Sequence, residues 1–328
     1  MANSINAKNR HSWQFGRLTA ESYHKRLQEN NRSILSQCIS LAESQNLKDK
    51  IIISDLLNLS QSSWVDNRTL RIGITGPPGV GKSTFIDGLG LSEAQKPEQK
   101  LAVLAIDPTS IVTKGSILGD KTRMFGLTQK ENVYIRPNPS REQLGGLTLE
   151  TATSILLCEA AGYCKTYIES VGVGQSEIEI DMMTDIVILL IQPGSGDTLQ
   201  GIKKGIMEVA DIIVIHKLDG STEHLGKEML NQFKSLYPHT PIIGHSSHPT
   251  VNADSLLEIE TAIAKISTSL IEKRKVQNHY LINAELKSAL LDHAESEDLY
   301  NKIGDTNSIQ HPTEAYVKLR EALKKSQI

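Results

Sequence analysis

The sequence predicts an α/β fold: a doubly wound, mostly parallel sheet with helical extensions at both ends of the chain. Between residues 69 and 265, short apolar runs alternate with longer helical or loop segments. Such runs are typical of parallel strands that helices cover on both faces. A glycine-rich string follows the first run, and the sequence on either side of this region is polar with helical periodicity. The layout indicates a central α/β domain flanked by helical arms.

The N-terminal part, residues 1–68, is predicted to be a helical extension with an amphipathic stretch from Arg32 to Leu59. Apolar residues recur there at three- and four-residue spacing, which places them on one helix face. They are Ile34, Leu35, Cys38, Ile39, Leu41 and Ala42. Residues 266–328 form a second charged, helix-patterned segment, a C-terminal arm.

Six apolar runs are predicted as the strands of the central domain. In chain order they are LRIGIT, LAVLAI, TYIES, DIVILLI, DIIVIHK and PIIGHS. Polar or glycine-rich residues follow several of them. Ligands of open α/β sheets bind at the carboxyl ends of strands, so these are the positions at which we look for a site.

Composition excludes several classes of function. The 328 residues carry 35 basic and 38 acidic side chains, and only 4% are aromatic. Neither a nucleic-acid nor an anionic-membrane partner is therefore indicated. No apolar run approaches the about 20 residues that span a bilayer, and the first residues have no signal-peptide core. Three scattered cysteines, Cys38, Cys158 and Cys164, fit reduced thiols, and we expect a cytoplasmic protein.

The strongest motif is a phosphate-binding loop that matches G-x-x-x-x-G-K-[ST]. Its residues are Gly76, Pro77, Pro78, Gly79, Val80, Gly81, Lys82, Ser83 and Thr84. An apolar strand precedes it and a helical segment follows, the context that such a P-loop requires. Backbone N–H groups and the helix N-terminus would cradle phosphates. Lys82 would neutralise the β- and γ-phosphates, and the Ser83 hydroxyl would ligate Mg²⁺.

A second motif predicts that the base is guanine. His216, Lys217 and Asp219 lie in the string HKLD after the strand DIIVI, and it resembles the N-K-x-D motif of GTPases with His in place of Asn. A carboxylate accepts hydrogen bonds from guanine N1–H and the exocyclic amine, whereas adenine N1 is an acceptor. At about 1.5–3 kcal/mol for each charged hydrogen bond, two such bonds discriminate several hundredfold or more. The aliphatic stem of Lys217 can cover one face of the base.

A third segment, Ser246-Ser247-His248, follows the last strand at the place where GTPases carry a short S-A-x loop. We interpret it as a second base-side element. His239, His245 and His248 are close in sequence and could suggest a metal site. No cysteine or clustered carboxylate accompanies them, and we favour the base-side interpretation.

Carboxylates near strand ends are candidates for the magnesium shell. Asp107, Asp120 and Glu169 are the three, and not all of them can be direct ligands.

Taken together, five strings closely resemble the MeaB/ArgK family of P-loop GTPases, in the same order and spacing from about residue 32 to 265. They are GPPGVGKSTFID, GSILGDKTRM, YIRPNPSREQLGG, ESVGVGQSE and QGIKKGIMEVADIIVIHKLDG. Family members are chaperones of methylmalonyl-CoA mutase and were formerly described as lysine/arginine/ornithine transport ATPases. The segment after residue 266 resembles the family only loosely, and His216 departs from its guanine motif.

The resemblance implies a homodimer, with the C-terminal arm in the contact, that docks on an adenosylcobalamin-dependent acyl-CoA mutase. GTP would gate delivery of the cofactor and protect the mutase. By position, Ser83, Asp107 and Glu169 serve Mg²⁺, and Asp120 and Arg123 lie in the switch region beside the γ-phosphate. Residues 194–204 match an additional switch loop that relays the nucleotide state, for which glycines suit a segment that orders and disorders.

Hydrolysis by the chain alone is expected to be slow. The residue after Gly172 is Val173, where Ras-like GTPases place the glutamine that orients the attacking water. Gln175 is the candidate further along. The alternatives are a P-loop small-molecule kinase or ATPase, a nickel-insertion GTPase, and a nucleotide-binding scaffold that does not turn over.

Overall fold

The computed structural model describes residues 17–44, 46–60, 69–107, 124–139, 149–170, 176–194, 204–246, 253–267, 270–291 and 309–326. The seven strands are β1 Leu70–Thr75, β2 Leu101–Asp107, β3 Val133–Pro139, β4 Lys165–Glu169, β5 Ile186–Ile191, β6 Ile212–Ile215 and β7 Ile242–Gly244. The described helices before β4 are α1 Ala20–Gln28, α2 Arg32–Ala42, α3 Leu47–Leu59, α4 Lys82–Glu93, α5 Phe125–Thr128 and α6 Leu149–Ala160. Those after β4 are α7 Ser176–Asp181, α8 Lys204–Val209, a 3₁₀ turn Gly220–Thr222, α9 Glu223–Leu236, α10 Ala253–Ile266, α11 Ile271–Leu291 and α12 Pro312–Ser326.

The strands form one parallel sheet in the order β3-β2-β4-β1-β5-β6-β7. Every described strand pair is parallel. This confirms the predicted α/β fold, and all six predicted strands are present. Since β1 lies between β4 and β5, the carboxyl ends of these three strands meet beside the loop that follows β1.

The edge strand β3 was missed by the sequence analysis. Its sequence VYIRPNP contains Pro137 and Pro139, which have no backbone N–H. A central strand pairs with a neighbouring strand on each side and needs these donors. At the edge, β3 pairs only with β2, with Leu101 opposite Val133 at the start. Prolines are tolerated at such a position, so they are compatible with an edge strand although not with a central one.

Both faces of the sheet are buried, which explains the unbroken apolar runs. In β5, Ile186, Ile188 and Leu190 pack in the core beneath α4 and α10. The alternate residue Val187 packs with the N-terminal helices and α6 on the opposite face. Since successive strand residues point to opposite faces, a strand covered on both sides must be apolar throughout.

The N-terminal helices α1–α3 share their core with the sheet. Buried Leu35, Ile39 and Leu57 belong to the same cluster as Ile168 of β4. Polar residues cap the helices: the Asn31 side chain accepts hydrogen bonds from the Ser33 and Ile34 N–H groups at the start of α2.

Helix α11, the first helix after residue 266, contacts the edge of the sheet at which the strands begin. This edge is opposite the glycine-rich loop. Arg274 and Asp185 form an ion pair in which both side chains are fully buried, with 2.6 Å from Nε to Oδ1. Arg274 also donates to the Thr69 carbonyl oxygen at 2.7 Å, and the Arg71 N–H donates to Asp185 at 2.8 Å. The helix is therefore held at the starts of β1 and β5.

The three cysteines are free thiols. Cys38 and Cys158 are buried, whereas Cys164 is exposed. Burial raises the pKa of Cys38 to about 12. Among the described helices, none is both long and apolar enough to cross a bilayer.

Candidate nucleotide-binding site

The glycine-rich loop after β1 has a backbone that side chains would not permit. Gly76, Gly79 and Gly81 have φ values of 143°, 75° and 106°, in the region that glycine alone adopts without strain. A Cβ atom at Gly76 would lie 2.3 Å from the Leu190 carbonyl oxygen of β5. Gly81 ends the loop as the N-cap of α4. The loop therefore presents backbone N–H groups and a helix N-terminus in one place, which is what an anion-binding site requires.

The Lys82 side chain folds back onto the start of this loop. Its Nζ donates to the Gly76 carbonyl oxygen at 2.9 Å and to that of Pro77 at 3.2 Å. Burial lowers the pKa of Lys82, and the nearby carboxylate of Glu169 opposes that shift. The ammonium group is thus partly desolvated and next to an acidic side chain, and phosphate oxygens could replace the carbonyl oxygens as its partners.

Ser83 and Glu169 meet beside the loop. The Ser83 hydroxyl donates to Glu169 Oε1 at 2.8 Å, which joins the first turn of α4 to the last residue of β4. A hydroxyl and a carboxylate are hard oxygen donors, and Mg²⁺ is usually bound by one or two such protein groups with phosphates and water. The donor set therefore fits Mg²⁺ beside a nucleotide phosphate. No group of three or more His, Cys, Asp or Glu side chains in the described residues could hold a metal.

Several predicted site residues lie wholly or partly outside the residues that the structure describes. Asp107 is the last residue of β2, two positions beyond the pairing of Ala105 with Glu169. Its backbone therefore ends at the same edge of the sheet, but its side chain lies outside the described set. The remaining ones are outside the described residues altogether: Asp120, Arg123, Gln175, Ser247 and His248.

The base-side residues lie at the carboxyl ends of β6 and β7. Asp219 is exposed, and its Oδ2 accepts a hydrogen bond from the Ser246 hydroxyl at 2.6 Å. The Thr222 hydroxyl donates to the carbonyl oxygens of Lys217 and Asp219, at 2.9 and 3.0 Å. The two predicted base-side elements are thus in contact, and the Asp219 carboxylate is oriented from outside its own loop.

Lys217 joins the base-side loop to the phosphate-side loop. Its φ of 61° is in the left-handed region, uncommon for a residue with a long side chain. In this conformation Nζ donates to the Gly79 carbonyl oxygen at 2.8 Å and to Gln192 Oε1 at 2.9 Å. The strained backbone is over-determined by contacts, as is common at ligand-binding sites.

His216 is fully buried under the end of the phosphate-binding loop. A Cβ atom at Gly81 would lie 2.8 Å from His216 Nε2, so the imidazole packs directly on this glycine. Burial lowers the pKa of His216 to about 3, with His245 and Lys217 adding to the shift and Asp219 opposing it. Burial likewise lowers the pKa of His245 to about 4. Both rings are therefore neutral at physiological pH.

Two residues near the site were not assigned there by the sequence analysis. Gln192 directly follows β5, so its place at a strand end was the available signal. His245 was considered only as a metal ligand, but its Nδ1 lies 2.8 Å from the Ser255 hydroxyl and its ring stacks on His216. Its position immediately before Ser246 was the only signal, and nothing in the sequence indicates which ring would face it.

A parallel sheet with a glycine-rich loop and lysine after its central strand, and an aspartate two strands away, defines the P-loop nucleotide-binding class. A family model described as "Methylmalonyl Co-A mutase-associated GTPase MeaB" matches residues 35–281. The chain belongs to the MeaB family.

Curated relatives agree with this family. GTPase ArgK of Escherichia coli is 48% identical over 196 residues, which are 60% of this chain and 58% of that protein. The methylmalonic aciduria type A homolog of Caenorhabditis briggsae, a mitochondrial protein, is 38% identical over 266 residues, 77% of this chain and 63% of that protein. A putative GTPase of Caulobacter vibrioides is 42% identical over 239 residues, 73% of this chain and 72% of its own length. The chain thus spans about six-tenths of the length of the first two relatives.

A solved structure shares the fold over nearly the whole chain. That of a LAO/AO transport system kinase superposes with a TM-score of 0.68 at 29% identity, covering 94% of this chain and 98% of that one.

Proposed function

We propose that this protein binds GTP with Mg²⁺, hydrolyses it slowly on its own, and acts as a nucleotide-dependent switch on an adenosylcobalamin-dependent acyl-CoA mutase. Methylmalonyl-CoA mutase is the first candidate partner. The observation that carries the nucleotide assignment is the Lys217 side chain, which contacts Gly79 of the phosphate-binding loop from within the base-side loop. One ligand with phosphates at one end and a base at the other fits this arrangement.

At the phosphate end we assign residues 76–84 to the phosphates, with Lys82 neutralising β- and γ-phosphate oxygen atoms. Ser83 and Glu169 would hold Mg²⁺, directly or through water, together with Asp107. The bound metal would supply charge neutralisation for the phosphoryl oxygens. Support comes from the 2.8 Å contact of Ser83 with Glu169.

At the base end we assign His216, Lys217, Asp219, Ser246, Ser247 and His248 to guanine binding. The Asp219 carboxylate is exposed and held by Ser246 at 2.6 Å, so its orientation is set before a ligand arrives. An ionised carboxylate accepts hydrogen bonds and donates none, which matches the two donors on the guanine edge. This supports GTP over ATP.

Slow turnover follows from Val173, since an apolar side chain cannot orient the attacking water. Asp120, Arg123 and Gln175 are the candidate catalytic residues besides Lys82, and we infer that a bound partner accelerates hydrolysis through them. The mutase assignment is supported by family membership and by relatives whose names refer to methylmalonic aciduria. Within this proposal GTP hydrolysis gates adenosylcobalamin delivery and protects the mutase, in the cytoplasm, by a homodimer formed through the C-terminal arm.

The test is steady-state hydrolysis of GTP, with ATP as the control, in the presence and absence of methylmalonyl-CoA mutase from the same organism. Slow, GTP-selective turnover that rises severalfold with mutase is the expected result. Turnover of GTP that is indifferent to a mutase that binds would remove the partner assignment. A preference for ATP would overturn the assignment of Asp219.

The same preparation distinguishes the alternatives. Phosphorylation of an added small-molecule acceptor with ATP would favour a kinase. Stoichiometric nickel in the purified protein would favour a nickel-insertion GTPase. Binding of GTP without hydrolysis in a multiple-turnover assay would favour a nucleotide-binding scaffold.

A further inference from the structure

Two buried imidazole rings lie between the phosphate-side and base-side loops, and the proposed function assigns only His216 to the base end, with no role for the two rings as a pair. His216 follows β6 and is fully buried, and His245 follows β7 and is 3% exposed. Their ring centroids are 5.2 Å apart and their planes differ by 10°, so the rings are stacked. A neutral stacked pair needs no counter-charge, which suits a buried position between two loops.

The stacked pair is packed against the first turns of α4. Phe85 meets both rings edge-on, with centroid distances of 6.0 Å to His216 and 5.4 Å to His245. The Phe85 N–H donates to the Gly81 carbonyl oxygen at 2.9 Å, and the His216 ring lies directly against Gly81. The pair is thus in contact with the last residue of the phosphate-binding loop and with the helix that follows it.

The pair is also tied to Asp219 from two sides. His216 is three residues before Asp219 in the same loop, and the Leu218 N–H donates to the His245 carbonyl oxygen at 3.1 Å. On the other side, Ser246 follows His245 and holds the Asp219 carboxylate at 2.6 Å. The Ser255 hydroxyl at 2.8 Å fixes the orientation of the His245 ring from α10. A shift of either ring would therefore displace the loop that carries Asp219 and the Ser246 hydroxyl that holds its carboxylate.

We propose that His216 and His245 form an imidazole brace, a stacked pair that sets the distance between the phosphate-binding loop and Asp219 and so positions Asp219 for guanine. The brace takes the place of the Asn side chain of the N-K-x-D motif. Both histidines are positioning residues: His216 serves the base end through its packing on Gly81 and on His245, rather than through a contact with the ligand. The inference rests on the proposed guanine-nucleotide site.

The test compares a ligand that spans the brace with one that does not. Calorimetric titration of GDP and of pyrophosphate, each with Mg²⁺, is made on the full chain and on His216→Ala, His245→Ala and the double variant. Aromatic pairs contribute about 0.5–1.5 kcal/mol, or about two- to tenfold in affinity. Each single variant should lose that much affinity for GDP and keep its affinity for pyrophosphate within about twofold, the spread expected at unchanged contacts. The double variant should bind GDP no more weakly than the weaker single variant, because the stack is already lost.

Losses for GDP that multiply in the double variant would overturn the brace, as would an equal loss for pyrophosphate. Absence of GDP binding by the unmodified chain, or tighter binding of ADP, would instead contradict the proposed function itself. His311→Ala is the matched control, since His311 is also fully buried but contacts Asn58 of α3. It should leave GDP affinity unchanged even where it lowers thermal stability.

One conservative variant keeps the proposal testable if the alanine variants do not fold. His245→Phe retains a flat ring for the stack and loses only the hydrogen bond to Ser255. GDP affinity should then stay within about threefold of that of the unmodified chain, within the value of one neutral hydrogen bond. A tenfold or greater loss in a folded His245→Phe protein would show that ring stacking is not what positions Asp219.

Discussion

The Lys217 ammonium group connects two loops that are 138 residues apart in sequence, with 2.8 Å from its Nζ to the Gly79 carbonyl oxygen. The same nitrogen lies 2.9 Å from Gln192 Oε1, directly after β5. Lys217 is therefore the point at which the phosphate-side loop, the base-side loop and the segment that leads to residues 194–204 meet. A change at Gln192, the partner that lies outside the phosphate-binding loop, should therefore affect nucleotide binding without removing a phosphate contact.

Gln192→Ala should weaken GDP binding by about tenfold. A hydrogen bond to a charged group contributes about 1.5–3 kcal/mol, although the Gly79 carbonyl remains as a partner and keeps the loss near the lower limit. The measurement is competition with a fluorescent GDP analogue. Gln232→Ala, an exposed position on α9, is the control and should show no change. Unchanged affinity in Gln192→Ala would mean that Lys217 is held by Gly79 alone.

Ser83→Ala should reduce the Mg²⁺ affinity of the nucleotide complex by about 10- to 100-fold, the range for groups that support a metal site. Affinity for GDP in the presence of EDTA should change little, because the loop backbone is retained. The measurement is titration of Mg²⁺ against nucleotide release. Ser92→Ala, near the end of the same helix, is the matched control. An equal loss with and without Mg²⁺ would argue for damage to the loop rather than loss of a metal ligand.

Arg274→Ala should lower the free energy of unfolding by about 3–5 kcal/mol, because it leaves the buried Asp185 carboxylate without its counter-charge. Urea denaturation measures this change. The neighbour Lys275 pairs with Glu272 at the surface, and Lys275→Ala should change stability by less than about 1 kcal/mol. Similar small effects in both variants would show that the contact of α11 with the sheet is not stabilising.

Stability should fall as the pH drops from 6.5 towards 4, with His311 as one cause. Burial lowers the pKa of His311 to about 4 from 6.5, and its Nδ1 accepts the Glu314 N–H at the start of α12. Between these pH values the unfolded chain binds the proton and the folded chain does not. The contribution of His311 is therefore complete above pH 6.5, and it is lost at up to about 1.4 kcal/mol per pH unit below it.

Urea midpoints at pH 7.5, 6 and 5 test this for the unmodified chain and for His311→Gln. The variant should be less stable at pH 7.5 and should lose less stability on acidification. Parallel pH profiles for the two proteins would contradict the role of His311. His216 and His245 also have lowered pKa values, so some pH dependence should remain in the variant.

Most of the fold could be predicted because its signals are local. Apolar runs of strand length, such as residues 186–191, indicated strands that are covered on both faces. The glycines and Lys82, which lie in one continuous string, indicated the phosphate-binding loop. β3 was missed because two prolines argue against a central strand, and only the sheet order shows that this strand lies at the edge. Domain limits at residues 68 and 265 stay predictions, as do the roles of Asp120, Arg123, Gln175, Ser247 and His248.

Residue type and spacing alone were enough to predict the chemistry of the ligand: an anion-binding loop, a hydroxyl for Mg²⁺ and a carboxylate for guanine, and these roles stay predictions. Contacts between distant segments depended on the three-dimensional packing. The sequence names His216 as a departure from the guanine motif, but only the pairing of β6 with β7 brings His245 against it. The contact of Ser83 with Glu169 depends in the same way on β4 lying beside β1. Local patterns do not indicate which strands become neighbours. The order of the strands depends on how the whole chain packs to bury both faces of the sheet.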